Sequence, residues 1–536
     1  MNRRKFLQGG MAAAFASMIP GSLRSETRVA DAEMEELNRI AWEESLAAVR
    51  PGVPGSQPFW NGHAHGFLYT PAFDFPEVAG AISYRAEVTN EITQKKCVMT
   101  MEKPWQPITK LWEETQPGTW RLQVSGLDAA GTVCGESGSK VFVRRPAFHG
   151  PYAKSEVSFR DAAYKALENV FHLPYIKKMV ETNEASPAYY NHFCYPSKML
   201  AAFIFAMCEY SQLSEVDRSA ALDYACVAAD ILIRTSVPNG KDLAQLPITY
   251  QGDYAVAKEH NHQIMMNYPL DVALAFLELA KAGNLPQYEE RAQVILDRYC
   301  ALQQEDGTWF LVYDWVQGKP VGENRLIAVD FLHLADHFIA KGDEKYRIFH
   351  TKCLQSILTG PVQTFNWSAQ FEDAAPEPAY HNQAKDMAVH VARYLLKHPE
   401  YVTDAFGVAQ SLVRFMEDQF VLWGPVAVPD DVRQKLRFHY IGPDQLFPLA
   451  QEQYAYMRPI NASAGDAILG FLALYEKTNE PLLKAKAIAL GNALVHTQYA
   501  NGELPTYWDQ LATKGTWLNC QVYCARVLAE MDRVLS

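Results

Sequence analysis

The sequence predicts a mainly helical protein, an (α/α)6 toroid preceded by a small immunoglobulin- or fibronectin-like β-sandwich. Three observations lead there. Apolar and amphipathic helical segments alternate six times, the residue pattern changes from period two to helical period near Pro146, and similar loops recur at the same place in successive hairpins.

The helical part runs over residues 150–536. Nearly uniformly apolar helices are expected at 197–211, 266–281, 326–341, 384–397, 462–477 and 517–534. Amphipathic ones are expected at 160–179, 216–236, 285–303, 343–358, 401–420 and 480–498. A helix apolar all round must be surrounded by protein, whereas one with a polar face lies outside. Six dry helices within six wet ones close a ring. Repeats of this length leave room for functional loops.

The β module is expected over residues 57–147, where GAISYRAEV, KKCVMTME, TWRLQVSGL and SKVFVRR alternate as strands between PG, DAAG and ESGS turns. Cys97 and Cys134 both fall there and are a candidate pair; the other cysteines lack framework spacing and read mostly as small core residues. Residues 26–56 read as a helical or linker segment. Before it, Arg3-Arg4-Lys5-Phe6-Leu7-Gln8 leads into GGMAAAFASMIPG. Paired arginines ahead of a short apolar stretch predict a twin-arginine export signal over residues 1–25, and so a periplasmic or secreted protein.

Composition narrows the function classes. The formal net charge is −12 over 536 residues, which argues against a nucleic-acid footprint. No apolar run is long enough for a membrane span. Aromatic residues make up 12% of the chain, and many fall in predicted loops. Flat sugar C–H faces pack on such rings while carboxylates and amides bind hydroxyls, so the expected partner is a carbohydrate.

The loops carry the candidate chemistry. Gly turns followed by aromatic segments end at Asp253, Asp314 and Asp509, and polar clusters precede the inner helices at Tyr190-Asn191-His192, His260-Asn261-His262 and Tyr380-His381-Asn382. The cluster KEHNHQ, from Lys258, stands immediately before the second dry helix. Its histidines admit three roles: a His-x-His metal pair, helix caps, or active-site groups with Glu259 as acid or base. No third ligand has convincing spacing, so no metal is expected, and no cofactor either. The candidate catalytic residues are Glu259, Asp314, His262, His260, Glu372 and Tyr254, with Glu259 and Asp314 the preferred carboxyl pair. The candidate substrate-binding residues are His192, Trp309, Trp315, Arg325, Tyr380, His381, Tyr454, Arg458, Trp508 and Asp509.

With its loop phrases NGELPTYW and DGTWFLVYDW, the repeat resembles the six-hairpin carbohydrate-active enzymes, most nearly the β-glucuronidase-type glycoside hydrolases with a front β module. That resemblance implies a hydrolase acting on uronic-acid-containing oligo- or polysaccharide. Asn261-His262 with Tyr254 also resembles heparinase-type lyases, which implies a lyase or uronate epimerase as the alternative. A non-catalytic carbohydrate-binding protein is the third reading. It accounts less well for so many carboxylates and histidines in the loops.

Overall fold

The structure is a computed structural model that describes residues 21–49, 61, 64–367, 370, 386–435, 446–452, 458–507 and 516–536. The twin-arginine stretch therefore lies outside the described residues, as do Glu372, Tyr380, His381, Tyr454, Trp508 and Asp509.

Six inner helices form the ring: Pro196–Leu213, Asn267–Gly283, Val329–Ala340, Asp386–Lys397, Asn461–Thr478 and Leu518–Leu535. They are called the first to the sixth below. Each packs on the next, and the sixth packs on the first, which closes the ring. The outer layer is Phe159–His172, Arg218–Arg234, Pro286–Leu302, Arg347–Thr359, Ala405–Phe420 and Pro481–His496. The outer helix Phe159–His172 lies against the sixth inner helix, so the two ends of the ring domain seal each other.

Helix boundaries follow local chemistry. The segment expected as one helix over 160–179 breaks into Phe159–His172 and Pro174–Thr182. Proline lacks a backbone N–H and disfavours the α conformation in the residue before it; Leu173 has ψ 133°. Strand pairs after residue 160 are short and antiparallel: β6 (Gln263–Met265) with β7 (Val312–Asp314) and β8 (Lys319–Pro320), and β9 (Val421–Leu422) with β10 (Leu449–Ala450).

The front module differs from the expected sandwich. Its described residues form one sheet in the order β1-β5-β4-β2-β3, with β1 Gly66–Phe67, β2 Ser83–Asn90, β3 Lys96–Met101, β4 Gly118–Leu127 and β5 Val133–Arg144. Alternation showed correctly that one face is buried, through Tyr84, Ala86 and Val88 on β2. What covers that face is a segment rather than a second sheet. Phe75 and Val78 lie where Cβ atoms on Gly138 and Gly135 would be, 2.4 and 2.6 Å away, and Trp112 of the helix Thr109–Glu114 stacks on Phe142. The cysteine pairing also fails. Cys97 on β3 and Cys134 on β5 are separated by two strands, about 14 Å at ~4.8 Å per strand, and both are free thiols.

A buried ionic network locks this module and the N-terminal helix Gly21–Ser45 to the ring. Lys486 lies between Glu44 at 2.8 Å and Glu417 at 2.9 Å, while Arg414 reaches Glu44 at 3.0 Å. Glu417 also accepts from the Tyr69 hydroxyl at 2.7 Å and the Trp423 indole at 2.8 Å. Asp418 accepts the N–H groups of Leu68 and Tyr69 at 2.6 and 2.8 Å, and Arg145 donates to the carbonyls of Asp418 and Gln419. These buried charges are tolerable because each has several partners. Burial pushes the Asp418 carboxyl up to about 7 even so, against the pull of its N–H donors.

Candidate active site in the ring axis

The inner helices are dry on nearly every side, yet each carries a few charged or polar residues on its axial face. In the second helix Asp271, Leu274 and Glu278 fall at i, i+3 and i+7, one stripe. The fourth carries Asp386, His390, Arg393 and Lys397 at i, i+4, i+7 and i+11, again one stripe. The third supplies Asp330 and His333, the fifth Asp466, and the sixth Tyr523 and Arg526. All of these line one cavity of about 1090 Å³ along the ring axis.

The helix N-termini converge at the front of this cavity. The Lys198 ammonium, in the first turn of the first helix, lies 5.7 Å from the Tyr195 and Tyr268 rings and 5.9 Å from Trp517. A cation facing aromatic rings is attracted by their quadrupoles. Behind it, Asp271 and Asp330 share a hydrogen bond. Burial pushes Asp271 well above the usual carboxylate range. The neighbouring Asp330 charge adds to this, and Lys198 partly opposes it. Burial raises Asp330 as well, but the charge of His390 and the hydrogen bond from Asp271 pull it back. Two close carboxyls cannot both ionise cheaply, so burial and mutual repulsion favour a proton on the pair, with the stronger upward push on Asp271.

The surrounding groups are differentiated. Burial pushes His333 down to about 3, so it is a neutral imidazole. The Tyr523 hydroxyl donates to Asp466 at 2.5 Å, and burial beside that carboxylate keeps the phenol protonated. Glu278 is raised by burial even with Arg526 at 3.1 Å. Three buried oxygens on the cavity wall have no hydrogen-bond partner among the described residues: Asn267 Oδ1, Asp386 Oδ1 and Asn519 Oδ1. Unmet acceptors in a polar cavity are the mark of a site that binds a hydroxylated ligand or ordered water. Among the described residues no group of three or more His, Cys, Asp or Glu side chains could hold a metal ion.

Of the described loop candidates, Tyr254, Glu259, His260, His262 and Asp314 lie away from the residues lining this cavity. Glu259 is exposed at the end of the short helix Ala255–Glu259, whose first flanking residue, Tyr254, is 46% exposed. His260 stacks on Tyr250 and hydrogen-bonds Gln263. His262 is exposed at φ 66° with its ring edge-on to Trp315, at 5.1 Å. The cluster does not cap the second inner helix, whose N-cap is Met266 without a side-chain bond. Asp314 accepts the N–H groups of Val316 and Gln317 at 2.9 and 2.8 Å, closing the β7–β8 turn. β6 pairs with β7, so Gln263 faces Asp314 and the His262 carbonyl accepts from Trp315 N–H. The structure thus brings the KEHNHQ loop and Asp314 together, but on the rim; the axial cavity is lined by other residues.

Of the expected sugar-binding residues, Trp309 is a correction. It is fully buried and its indole donates to the Tyr299 carbonyl at 2.8 Å, so it is a core residue. Arg325 lies 3.8 Å over the Phe310 ring, and Arg458 lies 4.0 Å over Tyr507. His192 packs 5.4 Å from Trp517, which places it beside the cavity mouth. The loop pattern does not reveal the axial carboxyls, which stand inside the helices. The signal that finds them is a carboxylate inside a helix otherwise too apolar to face water, as in NYPLDVALAFLELA.

No family model matches the chain, and none of the curated proteins matches it. Among solved structures, a family 76 glycoside hydrolase from a bovine Bacteroides thetaiotaomicron strain superposes with a TM-score of 0.45 at 12% identity, covering 88% of this chain and 96% of that one. A D-mannose isomerase gives 0.45 at 12%, over 62% and 86%. An unsaturated glucuronyl hydrolase from Streptococcus agalactiae gives 0.36 at 13%, over 71% and 98%. At these values the matches assign neither a family nor a reaction to this chain.

Proposed function

We propose that this protein is a glycoside hydrolase whose general acid is the Asp271–Asp330 pair. The feature that carries this reading is the carboxyl pair in the axial cavity, where burial and mutual charge oppose ionisation of both, beside further carboxyls and acceptors unmet among the described residues. Hydrolysis of a glycosidic bond needs a protonated carboxyl at the leaving oxygen and an ionised one at the sugar carbon. Asp271 takes the first role. Asp386 takes the second, since its Oδ1 lines the cavity without a hydrogen-bond partner among the described residues.

The substrate in this reading is a uronic-acid-containing oligosaccharide. Lys198 supports it, as a cation at the cavity front able to face a sugar carboxylate, with Trp517, Tyr268 and Tyr195 as ring surfaces. A lyase or epimerase is the second reading, favoured by the Tyr523 hydroxyl and His390 inside the same cavity. The paired arginines at positions 3 and 4 support export through a twin-arginine route. No helix among the described residues is long and apolar enough to cross a membrane.

The test is product analysis on uronate-containing oligosaccharides with Asp271→Asn and Asp386→Asn. Saturated reducing ends, lost in both variants, support the hydrolase. An unsaturated product absorbing in the ultraviolet assigns a lyase, and release by both variants at the normal rate removes the axial site from the chemistry.

A further inference from the structure

The axial cavity does not stop at the carboxyl pair. On the fifth inner helix its lining runs from Ala462 to Lys477, and on the sixth from Trp517 to Arg533. At ~1.5 Å per residue these spans are about 22 and 24 Å, close to the full length of either helix. The helices run in parallel, because the last turns of the sixth and first meet through Arg533 and Glu209 at 2.7 Å, just as their first turns meet through Trp517 and Lys198. The rear lining residues Lys397, Glu476, Lys477 and Arg533 are all exposed. One void therefore touches residues of the ring's front and solvent-facing residues of its rear.

Between the ends lies a line of ionisable groups rather than a hydrocarbon plug. Glu278 lies two turns behind Asp271 on the same helix face, about 10 Å away at ~1.5 Å per residue, with Arg526 against it. Leu274, Leu469 and Ala473 narrow the wall without filling it.

We infer that the axial cavity is open at both ends, and that its rear opening exchanges water and protons with the Asp271–Asp330 pair while a sugar occupies the front. This rests on the hydrolase reading. Hydrolysis places the acid's proton on the leaving oxygen, the water's OH on the sugar carbon, and the water's other proton on the base; that proton must leave and the acid must regain one. With the front filled by sugar, the rear passage is the route for both the water and the proton.

The test separates the passage from its use. Ala473→Cys puts a thiol on the wall behind the carboxyls at almost no cost in volume, and wild-type protein treated in parallel accounts for the exposed Cys134. Iodoacetamide should modify Cys at 473 in the native protein. Capping Glu476→Cys at the rear rim with a bulky polyethylene-glycol maleimide should slow that modification in the double variant, because 473 lies one turn from the rear rim and only the longer route through the front remains. The capped Glu476→Cys enzyme should lose at least about fivefold in kcat with KM unchanged, because water and protons rather than sugar are obstructed. An unreactive thiol at 473, modification undiminished by the cap, or an unchanged kcat would each overturn the inference. Labelling does not depend on turnover. A protein that cleaves no sugar therefore sinks the hydrolase reading, while labelling still decides whether the passage exists.

Discussion

The ring axis and the β6–β8 rim hold similar residue types in opposite circumstances. On the rim, Glu259 and His262 face water and Asp314 spends its oxygens on its own turn. In the axis, Asp271 and Asp330 are half-buried in the cavity wall and set against each other, and burial and mutual charge oppose their ionisation. Burial beside a like charge opposes a carboxyl's ionisation, a pressure that only the axial pair meets in this comparison. Residue type in a loop is thus a weaker guide to chemistry than residue type in the wrong solvent.

The largest effect should fall in the axis. Asp271→Asn is expected to lower turnover by on the order of 10²–10³-fold with little change in melting temperature, as loss of a general acid does. Glu259→Gln and His262→Ala are the matching changes on the rim, and losses there as large as in the axis would reverse the comparison.

Next in size is a change that tests folding rather than chemistry. Lys486→Met leaves Glu44 and Glu417 buried without their shared cation, a loss of roughly 3–5 kcal/mol. Denaturant unfolding should show it. A melting curve like that of the wild type would mean that the network does not secure the N-terminal helix.

Asp418 offers a pH signature outside the axis. Its folded-state value is raised to about 7, so the native state binds its proton more tightly than the unfolded chain does. Its contribution is therefore fully present below the ordinary carboxylate range and is lost as pH rises toward 7. Asp418→Asn should flatten the fall in melting temperature between about pH 4 and 7. An unchanged slope would show that other groups govern it.

The smallest effect belongs to the rim. Asp314→Ala removes the two N–H acceptors of the β7–β8 turn and should cost about 1 kcal/mol by thermal denaturation, with turnover within about twofold of normal. A turnover loss beyond tenfold would show that the rim takes part in catalysis.

The ring was legible in the sequence because burial imposes a period. A helix surrounded by protein reads apolar all round, and one that faces water does not. The expected inner segments 266–281 and 462–477 are observed as Asn267–Gly283 and Asn461–Thr478, within one or two residues at each end. The β module was legible strand by strand but not as a whole. Alternation reveals that a face is buried and is silent on whether a sheet or the Phe75–Val78 segment covers it.

The candidate site divides along the same line. Periodicity along the chain specifies the helical ring, its dry and wet layers, and the standing of Asp271, Glu278 and Asp330 within apolar helices. Ring closure is what brings Asp271 and Asp330, 59 positions apart in the sequence, into one hydrogen-bonded pair, and the folded β7–β8 hairpin is what turns Asp314 to its own turn. The reason is physical. Helical period is a property of neighbours along the chain, whereas a shared proton depends on distance and solvent, which exist only once the six inner helices have closed around the axis.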